Sequence, residues 1–334
     1  MTEQMKESSP LRLGVLGTGS VAAAFVDSIK KSRKIISVAV GSRDLTRAQE
    51  FAAELELEQA YASYAALLAD PQIDAVYIAL PNTLHTEWCI KSLEAGKHVI
   101  CEKPLACSGA DARRIYATAD RLGLKMVEAY PYRAQQQTRI ALDLIHSGEL
   151  GRPRTIQASF GFNITDTGDI RLNPALGGGA LLDAGSYPVS LIRSIAGCAP
   201  QHISAYMLPG VNHVEASLVA NLAFPGGLLA QISCTFTAAP HRYAVIACEG
   251  GAIETSYTNH VMAERPTILK IKRGAAWTDV FEAQEMTELN GFLAEAEAFA
   301  DLVNTGSGWT GVSRDESIDI ADMLERIKQS ALAI

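Results

Sequence analysis

Apolar residues in the first 130 positions alternate between short strand-like runs and stretches with the period of a helix. The strand-like runs cover residues 11–16, 35–40, 75–80, 99–101 and 125–129. The helical stretches cover residues 21–31, 45–55, 85–95 and 109–122. Strands that alternate with helices predict βαβ units around a parallel sheet. Because the strand-like runs are almost continuously apolar, we expect this sheet to be covered on both faces.

The pattern changes near residue 150, and the rest of the chain is dominated by strand-like runs with little helix between them. These runs cover residues 155–162, 202–208, 215–224, 228–236, 243–248, 253–257 and 268–272. Residues 225–227, Pro-Gly-Gly, predict a hairpin turn between two of the runs. We therefore expect a doubly wound α/β domain followed by an α+β domain with a large open, mostly antiparallel sheet and final helices at 290–303 and 314–331.

Composition narrows the class of protein. A length of 334 residues suits two domains. The net charge of −8 argues against a nucleic-acid-binding protein, which usually presents a basic face. The six cysteines show neither CxxC nor Cys/His zinc spacing, so we predict reduced thiols, no metal site and a cytoplasmic location. We expect no secretion signal in the polar N-terminus and no membrane span, because no apolar run reaches about 18 residues.

A glycine-rich loop follows the first predicted strand, with Gly17, Gly19 and Ala22 in the pattern G-x-G-x-x-A. In a dinucleotide-binding loop the first glycine permits a tight turn, the second lets a pyrophosphate approach the backbone, and the alanine keeps the helix close to the strand. The phosphates would lie at the helix N-terminus, beside Ser20 and Val21. The loop predicts a dinucleotide cofactor; a purely structural glycine turn is the alternative.

The residues after the second predicted strand distinguish NADP from NAD. An NAD site usually has Asp or Glu about 20 residues after the loop, on the ribose 2′-hydroxyl. Here Ser42 and Arg43 stand at that point, and Asp44 comes too late and suits the start of a helix. Because an arginine and a hydroxyl suit a 2′-phosphate, we predict NADP, with NAD less favoured. Alternatively, Arg43 stacks on adenine without discriminating.

Two more predicted strands end in polar residues at the carboxyl edge of the sheet, where ligands bind in such folds. Pro81, Asn82 and His85 follow the strand 75–80. We predict that Leu80, at the end of this strand, contacts the cofactor together with Pro81 and Asn82. His85 either joins them or bonds to backbone at the start of the helix. The strand 99–101 is followed by the acid–lysine pair 102–103, which either reaches solvent or belongs to a reaction centre.

These motifs together resemble the glucose–fructose oxidoreductase/inositol dehydrogenase/MocA family. The matching segments are 17–22, 81–85, 95–104 and 177–187, and the resemblance spans essentially the whole chain. It implies a Rossmann domain over 10–131 and a substrate-binding and oligomerisation domain over 132–334, with the last helices packing back on the first domain. It also implies NAD(P)-linked oxidation of a secondary alcohol or reduction of a ketone, usually on a sugar or cyclitol.

The resemblance assigns the family's motif lysine to Lys103. Many relatives carry Asp-x-x-x-His in the second domain, whereas this chain has Asp183 and then Tyr187. This tyrosine version is similar to that of glucose–fructose oxidoreductase, NADP-linked xylose dehydrogenases, dimeric dihydrodiol dehydrogenase and deoxysugar 3-ketoreductases. After Arg133 the chain departs from the family, with Ala134 and three glutamines where relatives often have an aromatic residue, His, Pro and Gln.

A lysine beside a tyrosine suits hydride-transfer chemistry. A free tyrosine has a pKa of about 10, and a nearby ammonium lowers that pKa. Tyr187 would then act as base for oxidation or acid for reduction, while Lys103 donates to the substrate oxygen. Asp183 would bind a second hydroxyl or orient Lys103. The alternatives are a solvated lysine, a buried tyrosine with a satisfied hydroxyl and a helix-capping aspartate.

Other groups near these motifs have supporting or open roles. Glu102 is a predicted cofactor-side residue that keeps Lys103 charged or bonds to backbone near the nicotinamide. The glycines 177–179 allow a ligand to approach closely or form a plain loop. Arg133 and Arg171 are further candidates for substrate binding, with a structural ion pair as the alternative for Arg171.

The expected function is an NADP-dependent oxidoreductase that acts on a sugar-like alcohol or ketone. Two alternatives stay open: an NAD-dependent dihydrodiol or pyranose dehydrogenase, and a non-catalytic regulatory protein that senses the cofactor. Strands 215–236 leave a sheet face that needs cover, so we expect a homodimer or homotetramer through that face.

Overall fold

The computed structural model describes residues 9–261, 266–287 and 289–333. The first strands are β1 (Leu11–Leu16), β2 (Ile35–Gly41), β3 (Gln59–Tyr61), β4 (Ala75–Ile78), β5 (His98–Glu102) and β6 (Met126–Ala129). The helices among them are α1 (Ser20–Ile29), α2 (Leu45–Leu55), α3 (Tyr64–Leu68), α4 (Asn82–Glu94) and α5 (Gly109–Leu122). The strands form a parallel sheet in the order β3-β2-β1-β4-β5-β6. The segment 1–8, searched above for a secretion signal, lies outside the described residues.

This parallel sheet confirms the predicted βαβ units. All of β4 and nearly all of β1 are buried, because helices cover both faces of the sheet. The short elements β3 and α3 were not predicted, since three to five residues are too few to show a period. Two boundaries also differ from the prediction: α4 begins already at Asn82, and Glu102 is the last residue of β5.

The second half of the chain builds a larger sheet. Its strands are β7 (Pro153–Asn163), β8 (His202–Pro209), β9 (Glu215–Ala223), β10 (Leu229–Thr235), β11 (Thr237–Cys248), β12 (Gly251–Thr255), β14 (Ile268–Arg273), β15 (Phe281–Glu285) and β17 (Ala331–Ala333). Within the described residues they lie in the order β15-β14-β12-β11-β7-β10-β9-β8-β17. Most neighbours are antiparallel, which confirms the prediction, but β7 pairs with β10 and β8 with β17 in parallel. A separate pair consists of β13 (His260–Val261) and β16 (Leu289–Asn290).

The second half also contains more helix than its sequence pattern suggested. Helices α6 (Gln136–His146) and α7 (Ser186–Ala196) precede α8 (Gly291–Thr305) and α9 (Arg314–Ser330). Helix α7 was not predicted, and all of its residues but the last are buried. The helix predicted to end at residue 331 stops at Ser330, and the next three residues pair with β8 as β17.

The last two long helices connect the two sheets. Phe292 and Phe299 of α8 are buried in the core of the parallel sheet, and Phe292 packs edge-on against Phe25. Helix α9 packs between α5 and α7. We propose that the two domains divide near residue 131, directly after β6. In the described part of the chain, no helix is both long and apolar enough to cross a membrane.

Candidate active site

Three loops of the parallel sheet meet at the carboxyl ends of neighbouring strands. Strand β1 lies beside β4, and β4 lies beside β5, so the loops that follow these strands are adjacent. They form one wall of a cleft of about 260 Å³, and β7 and the turn before α7 form the other. The predicted site residues that line the cleft are Val21, Leu80, Pro81, Asn82, Glu102, Lys103, Arg171, Asp183 and Tyr187.

The glycine loop has open space on its outer side. Gly17 has a φ of +108°, and a Cβ on it would lie 2.5 Å from the carbonyl oxygen of Ala79, so only glycine fits there. A Cβ on Gly19 would meet nothing within 4 Å. Gly19 precedes α1 without a capping side chain, and Ser20 and Val21 are exposed beside it. Uncapped amide groups next to open space fit a pyrophosphate, so the loop suits a dinucleotide.

A helix-capping aspartate and two exposed arginines follow β2. Asp44 Oδ1 accepts hydrogen bonds from the backbone N–H groups of Thr46 (2.9 Å) and Arg47 (3.3 Å), so it caps α2 as the sequence suggested. The hydroxyl of Ser42 accepts from the Asp44 N–H. Arg43 and Arg47 are both exposed. Arg47 was not predicted, although its spacing of four residues from Arg43 was visible in the sequence.

His85 lies beneath the cleft instead of in it. Its ring is fully buried, with Nδ1 2.8 Å from the carbonyl oxygen of Pro104 and Nε2 2.8 Å from that of Leu80. Burial lowers the pKa of His85. Because both ring nitrogens face backbone, the predicted cofactor contact is corrected in favour of the backbone-bonding alternative. His85 ties the loop after β4 to the loop after β5.

Glu102 supports the lysine beside it from the end of β5. The hydroxyl of Tyr77 donates to Glu102 Oε1 at 2.6 Å, and the N–H of Lys103 donates to Oε2 at 3.2 Å. Burial raises the pKa of Glu102, while Lys103 and the Tyr77 hydrogen bond act in the opposite direction. Both carboxylate oxygens therefore have partners within the protein.

Lys103 carries its charge into the cleft. Its Nζ donates to Asp183 Oδ1 at 2.7 Å and to the Asp183 carbonyl oxygen at 3.2 Å. Burial acts to lower the pKa of Lys103, but Asp183, Tyr187 and Glu102 outweigh burial and raise the pKa above its usual value. The side chain is only 11% exposed, so it is not a solvated lysine at a strand end.

Asp183 receives a second cation from the other wall of the cleft. It sits in a π-helical turn, Leu181–Gly185, that leads directly into α7. Arg171 Nε donates to Asp183 Oδ2 at 3.0 Å, and Arg171 Nη1 lies 3.0 Å from Asp169 Oδ2. Burial alone would raise the pKa of Asp183, but Lys103 and Arg171 hold it below its usual value. The carboxylate therefore orients Lys103. Arg171 forms an ion pair, which was the alternative to its predicted role in substrate binding.

Tyr187 lies one turn after Asp183, in the first turn of α7. Lys103 Nζ is 4.8 Å from the centroid of its ring, and Asn259 Nδ2 donates to its hydroxyl oxygen at 3.0 Å. Burial raises the pKa of Tyr187, although Lys103 and Arg242 oppose the rise. We expected a lowered pKa; the direction is the opposite, because burial of the phenol outweighs the effect of the two cations. The phenol is therefore protonated at neutral pH.

The glycines at 177–179 approach protein atoms closely. Asn82 Nδ2 donates to the carbonyl oxygen of Gly177 at 2.8 Å, which links the loop after β4 to the second domain. A Cβ on Gly177 would lie 2.9 Å from Asn82 Cβ, and one on Gly179 would lie 2.2 Å from Glu215 Oε1. Side chains of the protein thus occupy the space beside Gly177 and Gly179, and all three glycines also line the cleft.

Arg133 does not reach the cleft. Its guanidinium donates to the hydroxyl of Ser194 on α7 and, at 3.0 Å, to the carboxylate of Glu316 on α9. The predicted substrate contact is therefore corrected: this arginine fastens the turn after β6 to two helices. Its side chain is buried by those same contacts.

Sequence reasoning missed residues that the large sheet and its loops bring to the site. Phe160 and Asn259 line the cleft, and the rings of Phe160 and Tyr187 lie 5.5 Å apart. Arg242 on β11 lies over the same tyrosine ring. None of these residues belongs to a recognisable motif, and only the fold of the second domain brings them to Tyr187.

The two halves of the chain match two descriptions of one protein family. Residues 11–130 match "Oxidoreductase family, NAD-binding Rossmann fold", and residues 138–254 match "GFO/IDH/MocA C-terminal domain". This chain belongs to the Gfo/Idh/MocA oxidoreductase family. The resemblance drawn from its motifs is thereby confirmed, and so is the expectation of an oxidoreductase.

Relatives within the Gfo/Idh/MocA family cover most or all of the chain. A D-xylose 1-dehydrogenase (NADP(+)) of Haloferax volcanii is 32% identical over 96% of this chain and 97% of its own length. A dTDP-3,4-didehydro-2,6-dideoxy-alpha-D-glucose 3-reductase of Saccharopolyspora spinosa is 42% identical over 55% of each chain. The solved structure of a 3-ketoreductase from Actinomadura kijaniata, in complex with NADP and TDP-benzene, has a TM-score of 0.88 at 28% identity, covering 98% of this chain and 99% of that one.

Proposed function

We propose that this protein is an NADP-dependent oxidoreductase that reduces a ketone on a sugar-like ring to a secondary alcohol, and that also catalyses the reverse oxidation. The observation that carries the proposal is the ion pair of Lys103 and Asp183 against the ring of Tyr187, in a cleft bordered by a dinucleotide-type loop. NADP-linked sugar dehydrogenases and ketoreductases among the relatives support this substrate class.

The proposed NADP contacts come from four loops of the Rossmann domain. They are Gly17, Gly19, Ser20, Val21, Ser42, Arg43, Leu80, Pro81, Asn82, Glu102 and Lys103. Arg43 and Arg47 are the proposed partners of the 2′-phosphate, since guanidinium groups pair well with phosphate. Asp44 caps α2 through Oδ1, as expected of an aspartate that begins a helix. When bound, NADPH supplies the hydride that adds to the carbonyl carbon.

Tyr187 is the proposed proton donor. As the C=O π bond of the ketone breaks, the substrate oxygen takes the hydroxyl proton of Tyr187, and solvent returns a proton to the phenolate afterwards. An ammonium has three N–H donors, of which Lys103 uses two on Asp183, so the third can donate to the substrate oxygen. Asp183 and Arg171 border the cleft as candidate partners of other substrate hydroxyls.

The protonated phenol favours the reductive direction at neutral pH. A raised pKa keeps Tyr187 as an acid, and an acid is what ketone reduction requires. Oxidation needs the phenolate instead, so its rate should rise with pH.

The test replaces the two proposed catalytic groups and one neighbouring phenol. Tyr187→Phe and Lys103→Ala should each lower turnover by about 10²–10⁴, the usual contribution of general acid–base catalysis. Tyr130→Phe is the matched control, because it removes another buried hydroxyl whose ring lies 5.6 Å from that of Tyr187. NADPH consumption is measured with a panel of ketosugars, and NADP reduction with aldoses, cyclitols and dihydrodiols.

Two results would count against the proposal. Near-normal turnover of Tyr187→Phe would remove the tyrosine from its role. Tight NADPH binding by fluorescence, together with no turnover on any substrate of the panel, would favour the non-catalytic regulatory protein instead.

A further inference from the structure

Arg242 is a largely enclosed cation beside the proposed proton donor. Its guanidinium carbon lies 4.1 Å from the ring centroid of Tyr187 and 4.6 Å from that of Tyr257, and it also faces Phe160 at 4.9 Å. Its Nε and Nη2 atoms are buried and find no hydrogen-bond partner among the described residues. Placing a cation among aromatic rings costs solvation free energy. The site must therefore offset that cost through interactions of this charge.

Asn259 connects Arg242 to the hydroxyl of Tyr187. Arg242 Nη1 donates to Asn259 Oδ1 at 3.3 Å, and Asn259 Nδ2 donates to the Tyr187 oxygen at 3.0 Å. A guanidinium has only donors, so it requires the amide of Asn259 to turn its oxygen towards Arg242. The NH₂ group must then face Tyr187. The phenolic oxygen accepts this hydrogen bond, which leaves its own proton free to be given to a substrate.

The backbone around Asn259 is held in place from several directions. Its carbonyl oxygen accepts from Gln135 Nε2 and, at 3.1 Å, from the N–H of Gly291 at the start of α8. Gln135 lies in the stretch 134–137, where this chain departs from the family pattern. Tyr257, two residues before Asn259, has a φ of +35°, which a side chain other than glycine rarely adopts. Such backbone persists only where packing over-determines it, as it often does at active sites.

We propose that Asn259 is a further catalytic residue, which stabilises the phenolate oxygen of Tyr187 once its proton has left, and that Arg242 is the positioning residue that orients the Asn259 amide. The proposal rests on the proposed function of Tyr187. Proton transfer to the substrate turns the phenol into an anion, and an N–H donor and a stacked cation both favour that anion. Lys103 supplies a second cation over the same ring.

The groups around Tyr187 determine the direction of the expected pH effect. The charged side chains that act on this tyrosine are Glu102 and Lys103 at the end of β5 and Arg242 on β11. Tyr77 on β4 is a titratable neighbour, and the rings of Tyr130 and Tyr132 pack against that of Tyr187. Removal of a cation or of the donor on its oxygen disfavours the phenolate, so it raises the pKa of Tyr187.

The experiment measures kcat/KM against pH in both directions for Asn259→Asp and Arg242→Met. Asn259→Asp keeps the shape of the side chain but replaces the donor on the Tyr187 oxygen with an acceptor. We expect kcat to fall about tenfold to a hundredfold, the value of a hydrogen bond to a charged group. For oxidation, the pH at which kcat/KM rises should become higher than in the wild type. For reduction, the pH at which kcat/KM declines should also become higher. Arg242→Met should also move the rise in oxidation and the decline in reduction to higher pH.

Tyr132→Phe is the control, because its ring also flanks Arg242, at 5.6 Å, while its hydroxyl bonds to Ser190 away from the reacting oxygen. It should leave the pH profile unchanged. A fall in kcat without any shift in the pH profile of Asn259→Asp would overturn the proposal, since a purely structural role predicts that result. If Arg242→Met does not fold, Asn259→Asp decides alone.

The proposed function and this inference fail in different ways. An active Tyr187→Phe variant would remove the proton donor itself. An inactive Tyr187→Phe variant combined with wild-type pH profiles for Asn259→Asp and Arg242→Met would overturn only the assignment of Asn259 and Arg242.

Discussion

Lys103 and Asp183 come from different domains, so their ion pair depends on how the domains are placed. Lys103 ends a Rossmann strand, while Asp183 precedes α7, and the two side chains meet at 2.7 Å. Both are largely buried, where a lone charge would be costly and a paired one is tolerated. A change in either residue therefore affects both the charge and the position of the other.

Arg43 offers the most direct test of cofactor choice at the level of a single residue. Arg43→Ala should raise the Kd for NADPH about tenfold or more and leave the Kd for NADH nearly unchanged, because only NADPH carries the 2′-phosphate. Fluorescence titration of the two cofactors measures the difference. Arg33→Ala is the matched control, since it removes an exposed arginine just before the opposite end of β2. Equal weakening of both cofactors would show that Arg43 stacks on adenine instead.

Residues in short motifs could be predicted from sequence, and residues placed by the large sheet could not. Lys103, Asp183 and Tyr187 stand in recognisable segments, and the structure brings them together. Asn259 and Arg242 carry no local signal, because their meeting with Tyr187 depends on long-range strand pairing. The predicted direction of the pKa shift of Tyr187 was also wrong, because a sequence motif does not show how deeply the side chain is buried.

At the level of elements, the two glycines of the dinucleotide-type loop should affect different properties, one cofactor binding and the other stability. A Cβ on Gly19 meets no protein atom within 4 Å, so Gly19→Ala should change the free energy of unfolding by less than about 1 kcal/mol, the order of a cap effect. It should still weaken NADPH binding at least about tenfold, because the methyl group occupies the space next to the uncapped helix end. Gly17→Ala is the contrast, since its Cβ would collide with backbone and destabilise the protein itself. Urea unfolding and fluorescence titration measure the two effects; unchanged NADPH affinity in Gly19→Ala would contradict this use of the loop.

The start of α9 makes stability depend on pH in the acidic range. Burial alone would raise the pKa of Glu316, but Arg133 and the Ser313 backbone lower it to about 2. An unfolded glutamate has a pKa of about 4.3. The folded-state pKa is the lower one, so this stabilisation is fully present above about pH 4.3 and disappears as the pH falls towards 2.

Glu316→Gln should therefore lower the free energy of unfolding at about pH 7 by ~2–4 kcal/mol, because it leaves Arg133 buried without its carboxylate. The difference in the free energy of unfolding between variant and wild type should become smaller as the pH approaches about 2, because the wild-type carboxylate is then protonated and also uncharged. Urea unfolding across this pH range measures this difference. Asp315→Asn, an exposed neighbour in the same helical turn, should have only a small effect. A difference that stays constant with pH would exclude the ion pair as its cause.

Local sequence pattern predicted some elements and missed others. Helix α2 was predicted to the residue, whereas α7, in which every residue but the last is buried, was not predicted. The strand β17 was taken as the end of a helix, because its three residues become a strand only by pairing with β8. Fold class was thus available from local pattern, while the edges of the large sheet depended on tertiary pairing.

In the whole molecule, one face of the large sheet is not covered by any other part of the described chain. The inner face of the sheet packs on α7 and α9. Its outer face exposes large apolar side chains, among them Tyr206, Val219, Leu229 and Tyr243. Tyr206 pairs with Val219, and Ser233 lies between Val219 and Ser159, which in turn lies beside Tyr243. Exposed apolar side chains on several neighbouring strands form the kind of surface that a second copy of the chain covers.

We therefore predict a homodimer or homotetramer that forms through this outer face. Val219→Lys should shift the protein to monomers, measured by light scattering after gel filtration. A lysine at position 219 would place a charge within the contact between the two copies, where it loses hydration without gaining a partner. Leu45→Lys, at an exposed leucine on the Rossmann domain, adds the same charge outside the face and should leave the mass unchanged. A monomeric wild type at micromolar concentration, or an unchanged mass for Val219→Lys, would mean that this face does not form the interface.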